Sequence, residues 1–258
     1  MTVGGIVVCR MDSRRLPGKV LRQAVRRPLL WYVLARAGAV SALAGKLIVA
    51  TTDREVDEPI VRFCEEHGYQ CYRGAAEDVA GRVLACARHF GLDWLYRLNG
   101  DSPFLEPSLL STAWELASAG DCEFVTNLLP RSFPYGVSVE LLQTAALERA
   151  YRQMTSAEER EHVTLFLHQH SGKFRYHNIL QGGEDSSSVR LTVDTEADFA
   201  FFARVVDLLG ARWTEASYRE VMELRRGLAE VQPDGATFGP DPSVVPSLAT
   251  NETGRSSP

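Results

Sequence analysis

The sequence predicts an α/β fold, a mainly parallel central sheet with helices on both faces, and three observations carry that expectation. Short apolar runs alternate with amphipathic stretches at helical spacing through the first hundred residues. Two of the amphipathic stretches stop at a glycine, Gly68 and Gly91, as helix C-termini do. The apolar runs end in polar clusters, where open α/β sheets place their ligand crevice.

Each element follows from its own residues. Residues 3–9 (VGGIVVC) read as a buried first strand, running into the cationic turn 10–19, after which an apolar helical pattern begins at Val20. Residues 29–40 carry apolar positions at helical spacing, and 46–51 form a buried strand ending at Thr52-Asp53. A helix over 58–67, a strand over 69–73, a helix over 78–90 and a strand over 93–98 follow, the last running into Asn99-Gly100-Asp101-Ser102-Pro103. The rhythm breaks over 119–174, with strands at 123–127 and 137–142 separated by a proline-rich turn, and then two helical stretches. That segment is expected as an inserted lobe that covers the site or builds an interface. An edge strand at 174–179, a core strand at 190–194 and a helix at 196–209 complete one domain, residues 1–231. Residues 232–258 are rich in Pro, Gly, Ser and Thr and are expected to be disordered.

Composition excludes several classes of function. The 258 residues are 45% hydrophobic and carry a net charge of -5, so neither nucleic acid nor an anionic membrane surface is an expected partner. Uninterrupted apolar runs fall short of the roughly 18 residues of a membrane span, and the first strand starts too early to leave room for a secretory leader. Five scattered cysteines without C-x-x-C spacing read as reduced thiols, which predicts a cytoplasmic protein.

Within that acidic chain, Arg10, Arg14, Arg15 and Lys19 concentrate positive charge directly after the first strand, where they are expected to meet an anion, a polyphosphate. The turn is not a P-loop, because Ser13 occupies the first glycine position and Val20 follows the lysine, and G-x-G-x-x-G is absent. Side chains rather than a glycine nest must then hold the phosphates. Asp101 and Asp194 each end an apolar run and face the same crevice. Asp194 alone reads equally well as a helix cap. Together, two carboxylates opposite a phosphate-binding turn suit Mg²⁺ shared with a nucleotide.

Arg10-Met11-Asp12-Ser13-Arg14-Arg15-Leu16-Pro17-Gly18-Lys19 resembles the R-M-x-S-x-R-L-P-G-K signature of the cytidylyltransferase family, which includes the spore coat polysaccharide protein F type and the CMP-sugar synthetases. The resemblance continues in order through Arg73-Gly74-Ala75-Ala76-Glu77-Asp78-Val79, Gly100-Asp101-Ser102-Pro103, Phe133-Pro134-Tyr135-Gly136 to Val139-Glu140, Arg160-Glu161-His162-Val163-Thr164, and Arg190-Leu191-Thr192-Val193-Asp194. It implies a nucleotidyltransferase of the glycosyltransferase-A type that uses CTP and Mg²⁺. A sugar-acid, phosphosugar or phosphonate oxygen would attack the α-phosphorus and release pyrophosphate. Arg10, Ser13, Arg15 and Lys19 match triphosphate-binding positions, with Arg10, Arg15, Lys19 and Asp101 as the catalytic set and Asp101 and Asp194 as the metal ligands. Arg73 and Asn99 fall where base or ribose contacts are expected, and Tyr135, Glu140, Glu161 and His162 fall at the acceptor end. Glu161 and His162 could instead touch a second subunit, since the resemblance implies a homodimer through the 119–174 lobe.

Departures from the signature carry their own expectations. Arg14 replaces a common Thr and is expected to pair with Asp12, while Tyr135 and Ser138 replace acidic residues, which puts the usual sugar acid in question. His162, His168 and His170 lack H-E-x-x-H spacing and read as surface or interface histidines. Cys9 reads as strand packing, and Trp31, Trp94, Trp114 and Trp213 as core or interface. Rival readings are a UTP or GTP nucleotidyltransferase, a glycosyltransferase whose D-x-D element Ser102-Pro103 interrupts, and a non-catalytic nucleotide-binding module.

Overall fold

Strand β1 (Val3–Val8) sits inside the sheet, with Val3 and Val7 entering one apolar layer and Ile6 the opposite one. That period of two is what a strand covered on both faces requires. In this computed structural model residues 1–231 are described; the tail 232–258, expected to be disordered, lies outside the described residues. After β1 the chain makes a single 3-10 turn, Lys19–Leu21, then a small hairpin of β2 (Gln23–Ala24) and β3 (Arg27–Pro28). The helical pattern read from Val20 is therefore wrong before Leu29, because Pro28 holds itself and Arg27 extended. Helix α1 (Leu29–Gly38) starts directly after that proline.

Four elements then follow as the sequence indicates: β4 (Leu47–Thr52), α2 (Glu58–His67), β5 (Gln70–Gly74) and α3 (Val79–His89). Gly68 closes α2 at φ +72°, and the Asp78 carboxylate caps α3 by accepting from Gly81 N–H at 2.8 Å. β6 (Trp94–Asn99) pairs in parallel with β1, which pairs in parallel with β4 on its other side. The chain thus reverses its direction of sheet growth between β1 and β6, which places a ligand crevice at their carboxyl ends.

Helix α4 (Pro107–Ser118) leads into β7 (Phe124–Thr126) and β8 (Glu140–Gln143), followed by α5 (Thr144–Tyr151), α6 (Ala157–Glu161) and α7 (Leu165–Gln169). With β9 (Tyr176–Asn178) the sheet has the order β5-β4-β1-β6-β8-β7-β9, β8 running antiparallel to both neighbours. Residues 119–174 thus extend the central sheet and cover one face of it. Helices α1, α2 and α4 bury their apolar stripes on one face; α3, α5 and α7 bury theirs on the other. No helix among the described residues is long and apolar enough to cross a membrane.

The core strand expected at 190–194 does not form. This segment crosses the ends of the sheet, held by Leu191 N–H to Tyr135 O at 2.7 Å and Val193 N–H to Asp101 O at 2.9 Å. Its Leu191 and Val193 pack with Leu16, Phe104 and helix α8 (Glu196–Leu209) in a third apolar layer, to which α9 (Tyr218–Val231) adds Val221. Buried Arg36 on α1 ties this layer down, donating to the carbonyls of Leu105, Trp213 and Ala216 at 2.6–2.8 Å. Gly136 makes the crossing possible. At φ +95°, a Cβ there would lie 2.9 Å from the Leu191 carbonyl carbon and 3.0 Å from Thr192 N. Gly136→Ala is expected to cost about 1–3 kcal/mol, a fall of roughly 2–12 °C in a thermal melt. An unchanged melt would mean the crossing segment does not need this close approach.

Candidate active site

The cationic turn is shaped before any ligand arrives. Gly18, left-handed at φ +71°, donates its N–H to Met11 O at 2.7 Å and closes the loop, while Leu16 is buried in the third apolar layer. Met11 N–H donates to the buried Asp57 carboxylate at 2.6 Å. Gly100 lets the ends of β1 and β6 approach, since a Cβ at that position would meet Cys9 Cβ at 2.6 Å. These contacts set Asp101 beside the turn.

Lys19 is the hub of the site. Only 6% exposed, its ammonium donates to Asp101 Oδ2 at 2.7 Å, to Val193 O at 2.8 Å and to Asp194 Oδ1 at 2.9 Å. Its three N–H groups are all used inside the protein. Burial alone would depress its pKa, but the two carboxylates outweigh burial and raise it. Asp194 is opposed by burial too, yet Lys19, the Thr192 hydroxyl and Arg15 hold it down to about 2. Arg15 Nη2 lies 3.2 Å from Asp194 Oδ1, and Arg190 bonds its other oxygen.

These groups open into a cavity of about 650 Å³, which is of ligand size. Of the residues singled out from sequence, Arg10, Ser13, Arg15, Lys19, Asp101 and Asp194 line it together. Glu161 and His162 line it from α6, which is anchored by Arg160 to Asp78 at 3.0 Å and to the Tyr151 hydroxyl at 2.8 Å. Four other candidates stand elsewhere. Arg73 spends its guanidinium on Glu58 at 2.7 Å and on the carbonyls of Thr52, Asp53 and Arg54, stapling β5 to its neighbour. Asn99 ends β6 opposite Val8, outside the lining. Tyr135 has the guanidiniums of Arg131 and Arg190 against its ring, 4.1 Å and 5.6 Å from the centroid. Glu140 is 2% exposed and points its carboxylate at Arg97, 2.9 Å away, and at the Thr164 hydroxyl.

Asp12 does not pair with Arg14 as expected. It pairs with Arg10 at 3.3 Å and Arg54 at 2.6 Å, the latter brought in by the loop after β4, and Arg14 lines the cavity instead. Arg82 and Arg97 also line it and were missed from sequence. Arg97 left a signal, a lone charge inside the apolar run Trp94-Leu95-Tyr96-Arg97-Leu98. Arg82 left none, because a helix routinely carries an arginine on its polar face; here it donates to the carbonyls of Ala75 and Ala76 and fixes that loop. His168, expected at a surface or an interface, is largely buried within the chain, its Nε2 3.8 Å from Glu140 Oε1. Cys9 is buried and its thiol pKa is pushed far up by that burial, in keeping with packing rather than nucleophilic chemistry.

Six cationic and three acidic side chains line the cavity among the described residues. Such a surplus suits a polyphosphate. Asp101 and Asp194 converge on one ammonium, so their hard oxygens can converge on one divalent cation. No group of three or more His, Cys, Asp or Glu among the described residues could hold a metal. Phosphate oxygens would have to complete the shell, the usual arrangement for Mg²⁺.

A family model described as cytidylyltransferase matches residues 5–217. The spore coat polysaccharide biosynthesis protein SpsF of Bacillus subtilis is 30% identical over 241 residues, 90% of this chain and 95% of that one. A cytidylyltransferase structure from Leptospira borgpetersenii superposes with a TM-score of 0.83 at 26% identity, covering 92% of this chain and 99% of that one. A CMP:2-keto-3-deoxy-manno-octonic acid synthetase structure shares the fold at a TM-score of 0.59 and 19% identity, covering 81% of this chain and 99% of that one.

Proposed function

Because this chain belongs to the cytidylyltransferase family, and so to the nucleotidyltransferases, we propose that it transfers CMP from CTP to a small acidic acceptor. The acceptor is a sugar acid or a related phosphosugar or phosphonate, and pyrophosphate is released. The single observation that carries this reading is the meeting of Asp101, Asp194 and the turn of Arg10 to Lys19 in one cavity at the reversal of sheet growth. The likeness to a protein named for spore coat polysaccharide biosynthesis supports a sugar-type acceptor.

Arg10, Ser13 and Arg15 receive the β- and γ-phosphates, and Arg14 adds a further charge. Lys19 keeps Asp101 and Asp194 at a fixed separation and exchanges one of these contacts for a phosphate oxygen when the nucleotide enters. A Mg²⁺ held by Asp101, Asp194 and the phosphates would supply additional neutralisation of triphosphate charge. As the acceptor oxygen bonds to the α-phosphorus, the bond to the pyrophosphate oxygen breaks, and negative charge grows on the departing group beside Arg10 and Arg15. Fixed cations placed where charge develops are the main catalytic resource of such a site.

Thermal stability with CTP, UTP, GTP and ATP, each with and without Mg²⁺, tests this directly. Ligand at about 100 times its Kd adds roughly 2.7 kcal/mol, a rise of roughly 5–10 °C. The expected result is a Mg²⁺-dependent rise with CTP that the other three do not match. A rise with a different nucleotide would replace the donor, and no rise with any would overturn the transfer reaction.

A further inference from the structure

Glu140 is a single buried carboxylate with too much positive charge around it. Arg97 lies 2.9 Å away across the β6–β8 pairing, one step beyond the Tyr96–Leu141 pair. Arg131, stacked on Tyr135, also bears electrostatically on Glu140. His168 stands 3.8 Å from the same carboxylate; burial, with Arg97 and Arg131 nearby, lowers the pKa of its imidazole against the pull of Glu140. One buried acid therefore pairs with Arg97 while a second guanidinium, Arg131, held by Pro134 O and the Ser138 hydroxyl, stands near it in a partly dehydrated pocket. Arg97 Nε–H has no hydrogen-bond partner among the described residues, and nor has His168 Nε2.

Of these groups Arg97 reaches the cavity, where Glu161 and His162 face it from α6. Arg97 stands inside β6, two residues before the strand ends at Asn99, whereas Asp101 lies in the turn that follows. The turn of Arg10 to Lys19 begins beyond the end of β1, the neighbouring strand. Arg97 also extends into the face covered by α3 and α7, since its neighbour in register is Ile6.

We propose that Arg97, oriented by Glu140, binds the anionic group of the acceptor, a carboxylate, phosphonate or phosphate. A guanidinium whose Nη1 is held by a buried acid presents its remaining Nη N–H groups as a preformed two-pronged receptor. The incoming anion balances the charge that Glu140 alone leaves uncompensated, and it seats the acceptor at the end of the cavity opposite the triphosphate. Glu140 is a positioning residue. This assignment rests on the transfer reaction proposed above.

The experiment crosses two variants with two ligands. Methylphosphonate is titrated calorimetrically into protein saturated with CTP and Mg²⁺, and separately into free protein, and the thermal rise with CTP and Mg²⁺ is recorded alongside. Arg97→Met is expected to weaken methylphosphonate about 10- to 100-fold while keeping the CTP rise. Arg97→Lys should recover part of the loss, because charge returns without the two-pronged geometry. Arg10→Met should do the reverse, losing the CTP rise and keeping the anion. If Arg97→Met leaves methylphosphonate unchanged, or abolishes the CTP rise as Arg10→Met does, the assignment is overturned. An uncharged sugar bound as well as the anion would overturn it too. If the wild type shows no rise with CTP, the transfer reaction fails, and titration of free protein still decides whether Arg97 holds an anion.

Discussion

Asp101→Asn lowers CMP transfer by at least about 10³-fold while the protein stays folded: that is the expected result for the carboxylate at the end of β6. The loss is large because the amide cannot share a divalent cation with the triphosphate, and stabilisation of charge in the transition state is worth factors of this size. The fold survives for reasons visible around the residue. Its side chain is 29% exposed, and its backbone carbonyl still accepts from Val193 N–H. Lys19 keeps Asp194 and the Val193 carbonyl as acceptors. Asp194 offers a different case, since buried Lys19 and the more exposed Arg15, Arg190 and Thr192 all converge on it, so neutralising it leaves several donors short of charge. Activity measured as pyrophosphate release, with a melting curve for each variant, separates the two. A wild-type rate in Asp101→Asn would remove this carboxylate from the chemistry.

The second large effect is on stability. Glu140→Gln is expected to destabilise the fold by about 3–5 kcal/mol, the usual consequence of breaking a buried ion pair from one side. In a chain of this size that corresponds to a fall in Tm of roughly 6–20 °C. The sign of its pH dependence follows from the direction of the shift. Burial tends to raise the Glu140 pKa, but Arg97, His168 and the Thr164 hydroxyl outweigh it and lower it below the ordinary 4.5. A carboxylate with a depressed folded pKa stabilises the native state above its unfolded value, and that contribution is lost as pH falls through the lowered one. The gap between wild type and Glu140→Gln should therefore stay constant between pH 6 and 8, about the neutral range where the pair is fully charged, and shrink below about 4.5. A gap that persists in acid would mean the glutamate acts through packing.

The parts of the site that were legible in the sequence share one property: their chemistry is local. The turn Arg10 to Lys19 concentrates charge beside a strand, and its Pro17-Gly18 bend is written in the residues themselves. Gly68 ends α2 and Asp78 begins α3 for equally local reasons. The misreadings share the opposite property. Arg14 and Asp12 are two residues apart and looked like partners, but Arg54 arrives from another loop and takes Asp12. Val20 continued an apolar rhythm that Pro28 interrupts from eight residues away. Arg73 sits in a signature block yet spends its donors on Glu58 and three carbonyls, because β5 has to be stapled at the edge of the sheet.

Helix periods, strand runs and turn residues thus determined, from the sequence alone, the α/β class, while the signature Arg10 to Lys19 and the blocks that follow it in order pointed to the family by resemblance, and charge at the strand ends marked the end of the sheet where an anion was expected. Tertiary structure decided which charges are free to meet a ligand. Lys19 must give up a contact to an aspartate or a carbonyl before it can meet a phosphate, Glu140 lies behind Arg97 rather than in the cavity, and Arg14 is left facing the cavity. The physical reason is that a side chain's availability depends on its burial and on partners far away along the chain, as Asp101 and Asp194 lie 82 and 175 residues from Lys19. Such pairings follow from how the turns after β1 and β6 meet the segment that crosses the strand ends, which local residue pattern does not encode.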